Sequence, residues 1–395
     1  MKRTKLSDIA SLTVGFVGTM TQHYVDSGIP FLRSLNIKLF YIDNTDLKYI
    51  SASFSEELSK SILNENDIVI VRTGIPGTCC VVPKEYDGCN CADVVIVHPD
   101  FSKVNPYYLA AYINIWGQKQ ILNNKVGAIQ QHFNVHTAEE MLVFLPDKET
   151  QDHVANLICS VNEKIQVNER LCAELEAMAK TLYDYWFVQF DFPDENGKPY
   201  RTSGGTMEWC QELGREVPKG WKTKRVSDLT KVVTGKEDAN FSTADGEYKF
   251  FTCGQEPLCC DTPAFTGKAV LIAGNRDFNV KHYKGSFNAY QRTYVLIPNE
   301  DKYFAAMFIA AKDTIQAFRQ GSNGSIVKFI TKGDVENITL LSPTNDDLLQ
   351  RLNGIIEQIE LFEKENDELI KLRDWLLPML MNGQAYVKVG GDESV

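Results

Sequence analysis

The chain repeats itself, and this repeat constrains its fold more than any other feature of the sequence. Residues 127–146 (GAIQQHFNVHTAEEMLVFLP) align without a gap on residues 324–343 (GSIVKFITKGDVENITLLSP). The starts of the two copies also match, residues 6–9 (LSDI) with residues 226–229 (VSDL). The offset falls from 220 at the front to 194 at the back, so the first copy holds about 26 extra residues. A repeat on this scale predicts two equivalent domains.

Each copy contains short apolar runs typical of β strands, bounded by Gly, Pro or Asp. The equivalent runs VVIVHPD at 94–100 and TYVLIPN at 293–299 are examples. The strands predicted in this way include 68–71, 94–97, 270–272 and 294–297, and the short helices predicted after them are 106–120 and 302–320. Each copy is therefore expected to be an α/β domain.

Each copy closes with a long segment in which the seam positions follow a strict spacing of four and three. The first seam consists of Val154, Ile158, Val161, Ile165, Asn168, Cys172, Leu175, Ala179, Leu182 and Trp186. The second consists of Leu348, Leu352, Ile355, Ile359, Phe362, Asn366, Leu369, Arg373, Leu376 and Leu380. This spacing is typical of a coiled coil and predicts a pair of long helices. Pro378 is expected to end the second helix, because proline has no N–H to donate.

The segment between the first long helix and the second copy, 190–217, is rich in turn residues. Five aromatic residues stand within the adjoining stretch 186–200. A disordered linker would not hold so many aromatic side chains. We therefore expect an ordered connector, with a turn at 193–198 (PDENGK).

The net charge of −11 argues at first against nucleic acid, whose phosphates attract basic surfaces. The charge is spread unevenly, however. Residues 1–146 hold about two more acidic than basic residues, whereas residues 218–343 hold about four more basic than acidic ones. The overall sign therefore does not exclude DNA binding, but it suggests that a partner supplies much of the phosphate contact.

The chain has ten cysteines and no apparent secretion signal. None of them forms a C-x-x-C motif, and a chain of this length can build a core without disulfides. No apolar stretch reaches the roughly 18 residues that a membrane span needs. We therefore expect a cytoplasmic protein with reduced thiols. The spacing of Cys79, Cys80, Cys89 and Cys91 is wrong for a zinc knuckle, and buried or surface thiols are the better interpretation.

The usual signatures of catalysis are missing. The sequence contains neither a G-x-x-x-x-G-K-[ST] loop nor a G-x-G-x-x-G motif after a strand. Residues 105–108 (NPYY) are similar to the N-P-P-Y motif of amino-group methyltransferases, but a helix start with Asn105 as cap and Pro106 in the first turn explains them better. His132 and His136 have helical metal-site spacing but no nearby third ligand. No catalytic residue and no metal site are therefore predicted.

The connector FDFPDENGKPYRTSGG followed by VPKGW, between two variable domains that each precede a long helix, resembles the specificity subunits of Type I restriction-modification systems. The resemblance covers residues 1–385, and RTG at 72–74 supports it. It implies an α+β fold in which two pseudo-repeated α/β target recognition domains are joined by two long antiparallel coiled-coil helices. The segments expected are target recognition domain 1 (1–147), long helix 1 (148–189), connector (190–217), target recognition domain 2 (218–343), long helix 2 (344–384) and a flexible tail (385–395).

The resemblance also implies a function. Such a subunit is non-catalytic, recognises a bipartite double-stranded DNA target with one domain for each half, and scaffolds two methyltransferase subunits and, through them, restriction or motor subunits. No cofactor is expected in this chain, because S-adenosylmethionine, ATP and Mg belong to the partner subunits. Helices of about 33 residues span about 50 Å, which corresponds to some 15 base pairs between the two half-sites.

The candidate base-contacting residues are polar side chains on loops of the two domains. Arg and Lys can bind guanine, and Asn and Gln can bind adenine. The candidates are Arg72, Thr73, Gln130, Gln131, His132 and Asn134 in the first domain, and Arg276, Asn279, Lys281, His282, Lys284, Arg319, Ser322, Asn323, Ser325 and Lys328 in the second. For any one of them, a solvated loop position or a phosphate contact stays an open alternative.

The two seams predict a register if the helices are antiparallel. Matching their ends, Val154 with Leu380 and Trp186 with Leu348, sets Asn168 opposite Asn366. Buried asparagines at a seam cost stability unless paired, but a pair can fix register and orientation. We therefore predict a contact between Asn168 and Asn366; the alternative is that either side chain points to solvent or to a partner subunit.

Two other functions stay open at this point. The chain could be a two-domain DNA-recognition subunit of another phage-defence system that has no motor nuclease. It could also be a scaffold that binds only protein. Co-purification with a methyltransferase distinguishes the first alternative, and sequence-selective DNA binding by the reconstituted complex distinguishes the second.

Overall fold

The structure is a computed structural model that describes residues 2–117, 120, 133–275, 278–320 and 329–385. The chain divides into two compact units. The first unit comprises Met1–Val167 and Asn366–Val395, and the second comprises Asn168–Glu365. Each long helix thus contributes to both units.

The first unit contains the first α/β domain. Its strands form sheets with the orders β2-β9-β6-β7 and β3-β5-β4-β8 and a two-stranded ladder, β1-β10. The strands are β1 (Lys2–Lys5), β2 (Ala10–Val14), β3 (Tyr24–Val25), β4 (Ile29–Leu32), β5 (Lys48–Ile50), β6 (Ile68–Val71), β7 (Cys79–Val81), β8 (Asn90–Cys91), β9 (Val94–Pro99) and β10 (Leu142–Leu145). The helices are α1 (Ala52–Glu57), α2 (Pro106–Tyr112), which continues as a π-helical turn (Ile113–Gly117), and α3 (Val135–Glu139). The first long helix, α4 (Lys148–Tyr183), follows and ends in a π-helical turn (Asp184–Val188).

The second unit contains the connector and the second α/β domain. Its strands form a six-stranded sheet, β14-β19-β17-β18-β15-β16, a ladder β13-β20 and a hairpin β11-β12. The strands are β11 (Met207–Cys210), β12 (Arg215–Pro218), β13 (Lys222–Arg225), β14 (Val233–Thr234), β15 (Tyr248–Phe251), β16 (Leu258–Cys260), β17 (Phe265–Ala273), β18 (Val280–Ala289), β19 (Thr293–Leu296) and β20 (Thr339–Ser342). The helices are α5 (Val226–Leu229), α6 (Phe304–Gln320), α7 (Lys332–Glu336) and the second long helix, α8 (Asp347–Met381).

The predicted repeat is confirmed at the level of strand register. Pairs of residues that face each other across two strands in the first domain have equivalents that face each other in the second. The pair Lys2–Leu145 is equivalent to Lys222–Ser342. In the same way, Thr13–Ile96 is equivalent to Val233–Val295, and Ile68–Val97 is equivalent to Val270–Leu296. Since a slip by one residue would turn every side chain to the opposite face, the shared register means that the two domains bury equivalent faces.

The predicted helix seams are also confirmed. All twenty seam positions are buried or half-buried. The polar contacts across the seam are Arg373 Nη1 to Asn162 Oδ1 (2.9 Å) and Asn366 Nδ2 to Ile165 O (3.2 Å) in the first unit, and Asn168 Nδ2 to Glu365 Oε2 (2.8 Å) and Cys172 Sγ to Ile359 O (3.8 Å) in the second. In each unit the residue number rises along α4 as it falls along α8, so the two helices are antiparallel.

Asn168 and Asn366 are both buried in the seam. Asn168 donates to a carboxylate oxygen of Glu365, and Asn366 donates to the backbone carbonyl of Ile165. These two contacts each lie within one unit. The direct contact between the two asparagines joins the two units and stays a prediction.

The expected end of the second helix at Pro378 is wrong. Helix α8 continues through Pro378 to Met381. Proline removes one backbone hydrogen bond, but Leu377, Leu380 and Met381 are all buried in the core of the first unit. Their burial outweighs the lost bond, because a fully buried Leu or Met side chain contributes about 1.5–3 kcal/mol.

The connector is ordered around aromatic side chains, as predicted. The ring of Phe192 stacks on Tyr200 and on Trp221, with centroid distances of 4.6 and 5.0 Å. The predicted turn at 193–198 is confirmed, because the backbone N–H of Asp194 donates to the carbonyl of Lys198 (2.8 Å) and Gly197 has a positive φ. Residues 386–395, most of the predicted tail, lie outside the described residues.

All ten cysteines are free thiols, and Cys79, Cys80, Cys89 and Cys91 are buried. Burial raises the pKa of the Cys89 thiol to about 12, so this side chain is a neutral core residue. No cluster of His, Cys, Asp and Glu that could hold a metal ion is found in the described part of the chain. None of the helices in these ranges is both long enough and apolar enough to cross a membrane.

Candidate nucleic-acid interface

A groove of about 910 Å³ opens in the first domain beside the end of β6. Both polar side chains and exposed apolar side chains line its walls. The lining residues include Thr19, Thr21, Arg33, Ser34, Leu35, Lys38, Leu39, Thr73, Gly74, Ile75 and Asp93. Hydroxyl and cationic groups can donate to base edges, and apolar groups can contact the thymine methyl. The groove therefore has the chemistry of a surface that binds the edges of base pairs.

The predicted residues Arg72 and Thr73 lie at this groove. Thr73 lines it, and Gly74 (φ +84°) gives the turn a conformation that favours glycine. The Arg72 Nε donates to the carbonyl of Phe133 (3.1 Å), and its Nη1 lies 3.8 Å from an Asp93 carboxylate oxygen. Phe133 lies directly before Asn134, so Arg72 ties the turn after β6 to the segment that begins α3.

Among the other candidates of the first domain, the structure describes Asn134. Asn134 is the N-cap of α3, where its side chain accepts from the backbone N–H of Thr137 (2.9 Å). Thr331 occupies the equivalent position before α7 in the second domain. The observed role of Asn134 is therefore to cap a helix. Gln130, Gln131 and His132 lie outside the described residues.

The second domain makes a contact at the equivalent place. The backbone N–H of Ile330 donates to the carbonyl of Gly274 (3.0 Å), directly after β17. The Phe278 ring packs edge-on against Phe318, next to the candidate Arg319 (centroid distance 6.0 Å). Arg276, Ser322, Asn323, Ser325 and Lys328 lie outside the described residues. In both domains, the residue directly after a strand of the sheet, Arg72 after β6 and Gly274 after β17, therefore contacts the equivalent residue before a short helix, Phe133 before α3 and Ile330 before α7.

Asn279 and Lys281 support a further loop of the second domain. Asn279 Nδ2 donates to the carbonyl of Cys253 (3.0 Å), and the Lys281 ammonium donates to the carbonyl of Gly254. The next residue along this loop, Gln255, is exposed. The two candidates therefore hold the backbone from which Gln255 projects.

His282 and Lys284 do not lie with the other candidates. His282 is buried beneath α6, with its ring edge-on to Phe308 (centroid distance 4.8 Å). Lys284 is exposed on the same face of β18. Burial raises the pKa of the Glu360 carboxyl on α8, and the charge of Lys284 opposes that rise. Side chains two apart in a strand share a face, so both lie on the helix-covered side of the sheet.

The burial of His282 predicts a pH effect on stability. Desolvation lowers its pKa to about 4, while Glu176 raises it and Lys312 lowers it. The folded protein therefore binds a proton at His282 less tightly than the unfolded chain does. The contribution of His282 to the free energy of unfolding is full above about pH 6.5 and is lost as the pH falls towards 4. We expect wild type to lose on the order of 3 kcal/mol of unfolding free energy across this window through His282. Urea unfolding of wild type and His282→Phe between pH 4.5 and 7.5 checks this, and equal pH slopes would contradict it.

The NPYY motif at 105–108 starts a helix, as predicted. Asn105 Oδ1 accepts from the backbone N–H of Tyr107 (2.9 Å), and its Nδ2 donates to Asp152 (2.7 Å). Pro106 occupies the first turn of α2. This motif therefore has a structural role. His136 is exposed beside Glu139, and His132, four residues before it, lies outside the described residues.

Sequence reasoning missed several groove residues. Arg33, Lys38 and Leu39 lie on a loop that has no counterpart in the aligned segments, and Ile75 is 71% exposed at the turn after β6. The signal that could have identified the loop is the length difference between the copies. The signal for Ile75 is an apolar residue placed between Gly74 and Pro76.

Comparison with known proteins identifies the relatives. Residues 218–371 match the family described as Type I restriction modification DNA specificity domain. The chain is similar to Type I restriction enzyme specificity subunits. It is 36% identical over 176 residues to the EcoDI specificity subunit of Escherichia coli, an alignment that covers 43% of this chain and 39% of the length of that relative. It is 23% identical over 406 residues to the putative MjaX specificity subunit of Methanocaldococcus jannaschii, covering 94% of this chain and 90% of that one.

A solved structure supports the fold assignment. The crystal structure of the S subunit of the Type I restriction-modification system from M. genitalium matches with a TM-score of 0.57 at 13% identity. The match covers 98% of this chain and 96% of that chain. The resemblance inferred from the connector and the predicted fold class are thus confirmed.

Proposed function

We propose that this chain is the non-catalytic DNA-specificity subunit of a Type I restriction-modification complex in the cytoplasm. The observation that carries the proposal is a contact that recurs in both domains. Arg72 directly after β6 bonds to Phe133 before α3, and Gly274 directly after β17 bonds to Ile330 before α7. Two equivalent domains in one chain suit the two halves of a bipartite double-stranded DNA target, much as dimeric proteins bind paired half-sites.

The charges of the first groove suit recognition of bases better than neutralisation of phosphates. Arg33 pairs with Asp46 (3.1 Å), and Lys38 lies 3.7 Å from Asp43. Paired cations contribute little net positive field, whereas phosphate binding depends on uncompensated Lys and Arg. We therefore assign much of the phosphate contact to partner subunits.

The long helices would carry the partner subunits. Val167 and Met178 on α4 are exposed apolar residues, and the helix repeat at an offset of 194 matches them with Leu361 and Leu372 on α8, which are exposed too. Exposed apolar residues that recur in this way support two copies of one partner. In this proposal the partners are two methyltransferase subunits, through which restriction or motor subunits join. S-adenosylmethionine, ATP and Mg belong to those partners.

The second domain provides a direct test. Arg319→Ala is expected to weaken recognition of one half of the target only, by about 1–3 kcal/mol if the guanidinium binds a base in a bidentate manner. The measurement is competition binding by the complex reconstituted with its methyltransferase, using target DNA altered in one half at a time. Arg351→Ala, which removes an exposed arginine of α8 paired with Asp347, is the matched control and should leave binding of both halves unchanged.

Two outcomes would contradict the proposal. A reconstituted complex without sequence-selective DNA binding would favour a protein scaffold. Stable association with a nuclease or defence protein but with no methyltransferase would favour another phage-defence system.

The Arg319→Ala variant has a separate outcome of its own. An equal loss of affinity on all DNA sequences would make Arg319 a phosphate contact and not a base contact.

A further inference from the structure

The first domain contains a loop that the repeat does not explain. By strand register, Val14 is equivalent to Thr234 and Ile68 is equivalent to Val270. Yet 53 residues lie between Val14 and Ile68 in the first domain, and 35 lie between Thr234 and Val270 in the second. Residues 33–46, here called the groove loop, lie inside this longer interval. The two domains therefore differ most in the segment that lines the groove.

The groove loop is held rigid by one buried side chain. Asn36 is fully buried, and its Oδ1 accepts from the backbone N–H of Arg33 (3.1 Å). Its Nδ2 donates to the carbonyl of Asp43 (3.0 Å), and the N–H of Asp43 donates back to the Asn36 carbonyl (2.7 Å). These bonds close the loop on itself, so that displacing one side of it moves the other.

The two sides of the groove loop contact different parts of the first unit. Lys38 and Leu39 line the groove, whereas the next residue, Phe40, turns to α8. Phe40 has φ +72°, a conformation that is strained for a bulky residue and persists only where the surroundings enforce it. The guanidinium carbon of Arg373 lies 5.1 Å from the centroid of the Phe40 ring. Arg373 thus makes a cation–π contact with the strained residue of the groove loop, Phe40.

Arg373 is unusual for its position in the helix pair. It occupies a seam position and is 8% exposed, with Nη1 bonded to Asn162 (2.9 Å) and Nε to Asp374 (2.9 Å). The equivalent residue of the first helix, at an offset of 194, is the buried Ala179. A buried cation at a seam carries a desolvation cost that an apolar residue avoids. The repeat therefore breaks at the helix residue that contacts the loop of the longer domain.

We propose that Arg373 is a positioning residue for recognition of the target half bound by the first domain. Through Phe40 it fixes the groove loop, and with it the positions of Lys38 and Leu39 in the groove. The inference rests on the proposed function, because it assigns the groove to that half of the target. It also makes a residue of the long helix a determinant of specificity although Arg373 lines no part of the groove.

The test uses the complex reconstituted with its methyltransferase and target DNA altered in one half at a time. Arg373→Met keeps the apolar stem in the seam but removes the cation, and Phe40→Leu removes the ring. Each is expected to lower discrimination at least tenfold in the target half affected by Arg72→Ala, and to leave the half affected by Arg319→Ala unchanged. Combining the two changes should cost no more than either alone, since both remove one contact. Phe40→Tyr, which keeps the ring at the same backbone conformation, is the matched control and should discriminate like wild type.

The outcomes separate this inference from the proposed function. A wild-type complex that selects no DNA sequence overturns the proposed function itself. A wild-type complex that discriminates in both halves, with Arg373→Met and Phe40→Leu unchanged or equally weakened in both halves, overturns only the role of Arg373. Thermal unfolding of each variant identifies a folding defect. If Arg373→Met does not fold, Phe40→Leu alone tests the inference, and a Phe40→Leu complex that discriminates as well as wild type overturns it.

Discussion

Leu352→Asp is expected to unfold the second unit of the chain. Leu352 is a seam residue of α8 and is completely buried in the core that also contains Trp221 and Phe304. The change removes a large apolar side chain and places a carboxylate in a site without a partner. Each effect alone costs several kcal/mol, and together they exceed about 5 kcal/mol, a large part of the stability of an ordinary domain.

The same helix offers the matched control. Leu361 lies nine residues further along α8 and is 59% exposed, so Leu361→Asp should change the unfolding free energy by no more than about 0.5 kcal/mol. Circular dichroism during thermal unfolding, together with limited proteolysis, measures both variants. Equal stability of the two variants would mean that Leu352 is not buried in the seam.

Arg72→Ala is expected to abolish selectivity for one half of the target. Arg72, directly after β6, donates to the carbonyl of Phe133 just before α3, and it lies beside Asp93. Its removal leaves the Phe133 carbonyl without this donor, which costs about 1–3 kcal/mol locally and frees the turn that carries Thr73. Arg3→Ala removes an exposed arginine from β1 of the same domain, does not touch the groove and should recognise both halves normally.

Local spacing explains why the repeat and the long helices could be predicted. A heptad pattern specifies which side chains share a face without reference to the rest of the chain. The buried seam positions followed from this, including polar Asn168 and Asn366. The strands 68–71 and 94–97 could be predicted in the same way, because a short apolar run bounded by turn residues indicates a strand from local sequence alone.

The errors come from contacts between residues distant in sequence. Helix α8 passes Pro378 because of buried neighbours in the first domain, and no local pattern contains those neighbours. His282 was assigned to a DNA surface as a polar side chain expected on a loop, but it lies in β18. The alternation along β18 indicates two faces, but only the packing of Phe308 decides which of them is covered.

The candidate site was predicted only in part for the same reason. Arg72 and Thr73 were found because their loop follows a recognisable strand and the RTG at 72–74 supports the family resemblance. The groove loop belongs to one copy alone, so comparison of the repeats could not identify Lys38 or Leu39. The partner of Arg373 is 333 residues away in the sequence, and the seam pattern predicted its burial without indicating its contact with Phe40.

The most direct test of the central claim, that two equivalent domains each recognise one half of one DNA target, is methylation mapping of host DNA. The strains compared carry the wild-type gene, a deletion of the gene, Arg72→Ala or Arg3→Ala. The account predicts that deletion removes one bipartite methylated motif, that Arg72→Ala relaxes or abolishes one half of it, and that Arg3→Ala leaves it intact. Unchanged methylation after deletion, or loss of a single continuous motif, would contradict the account.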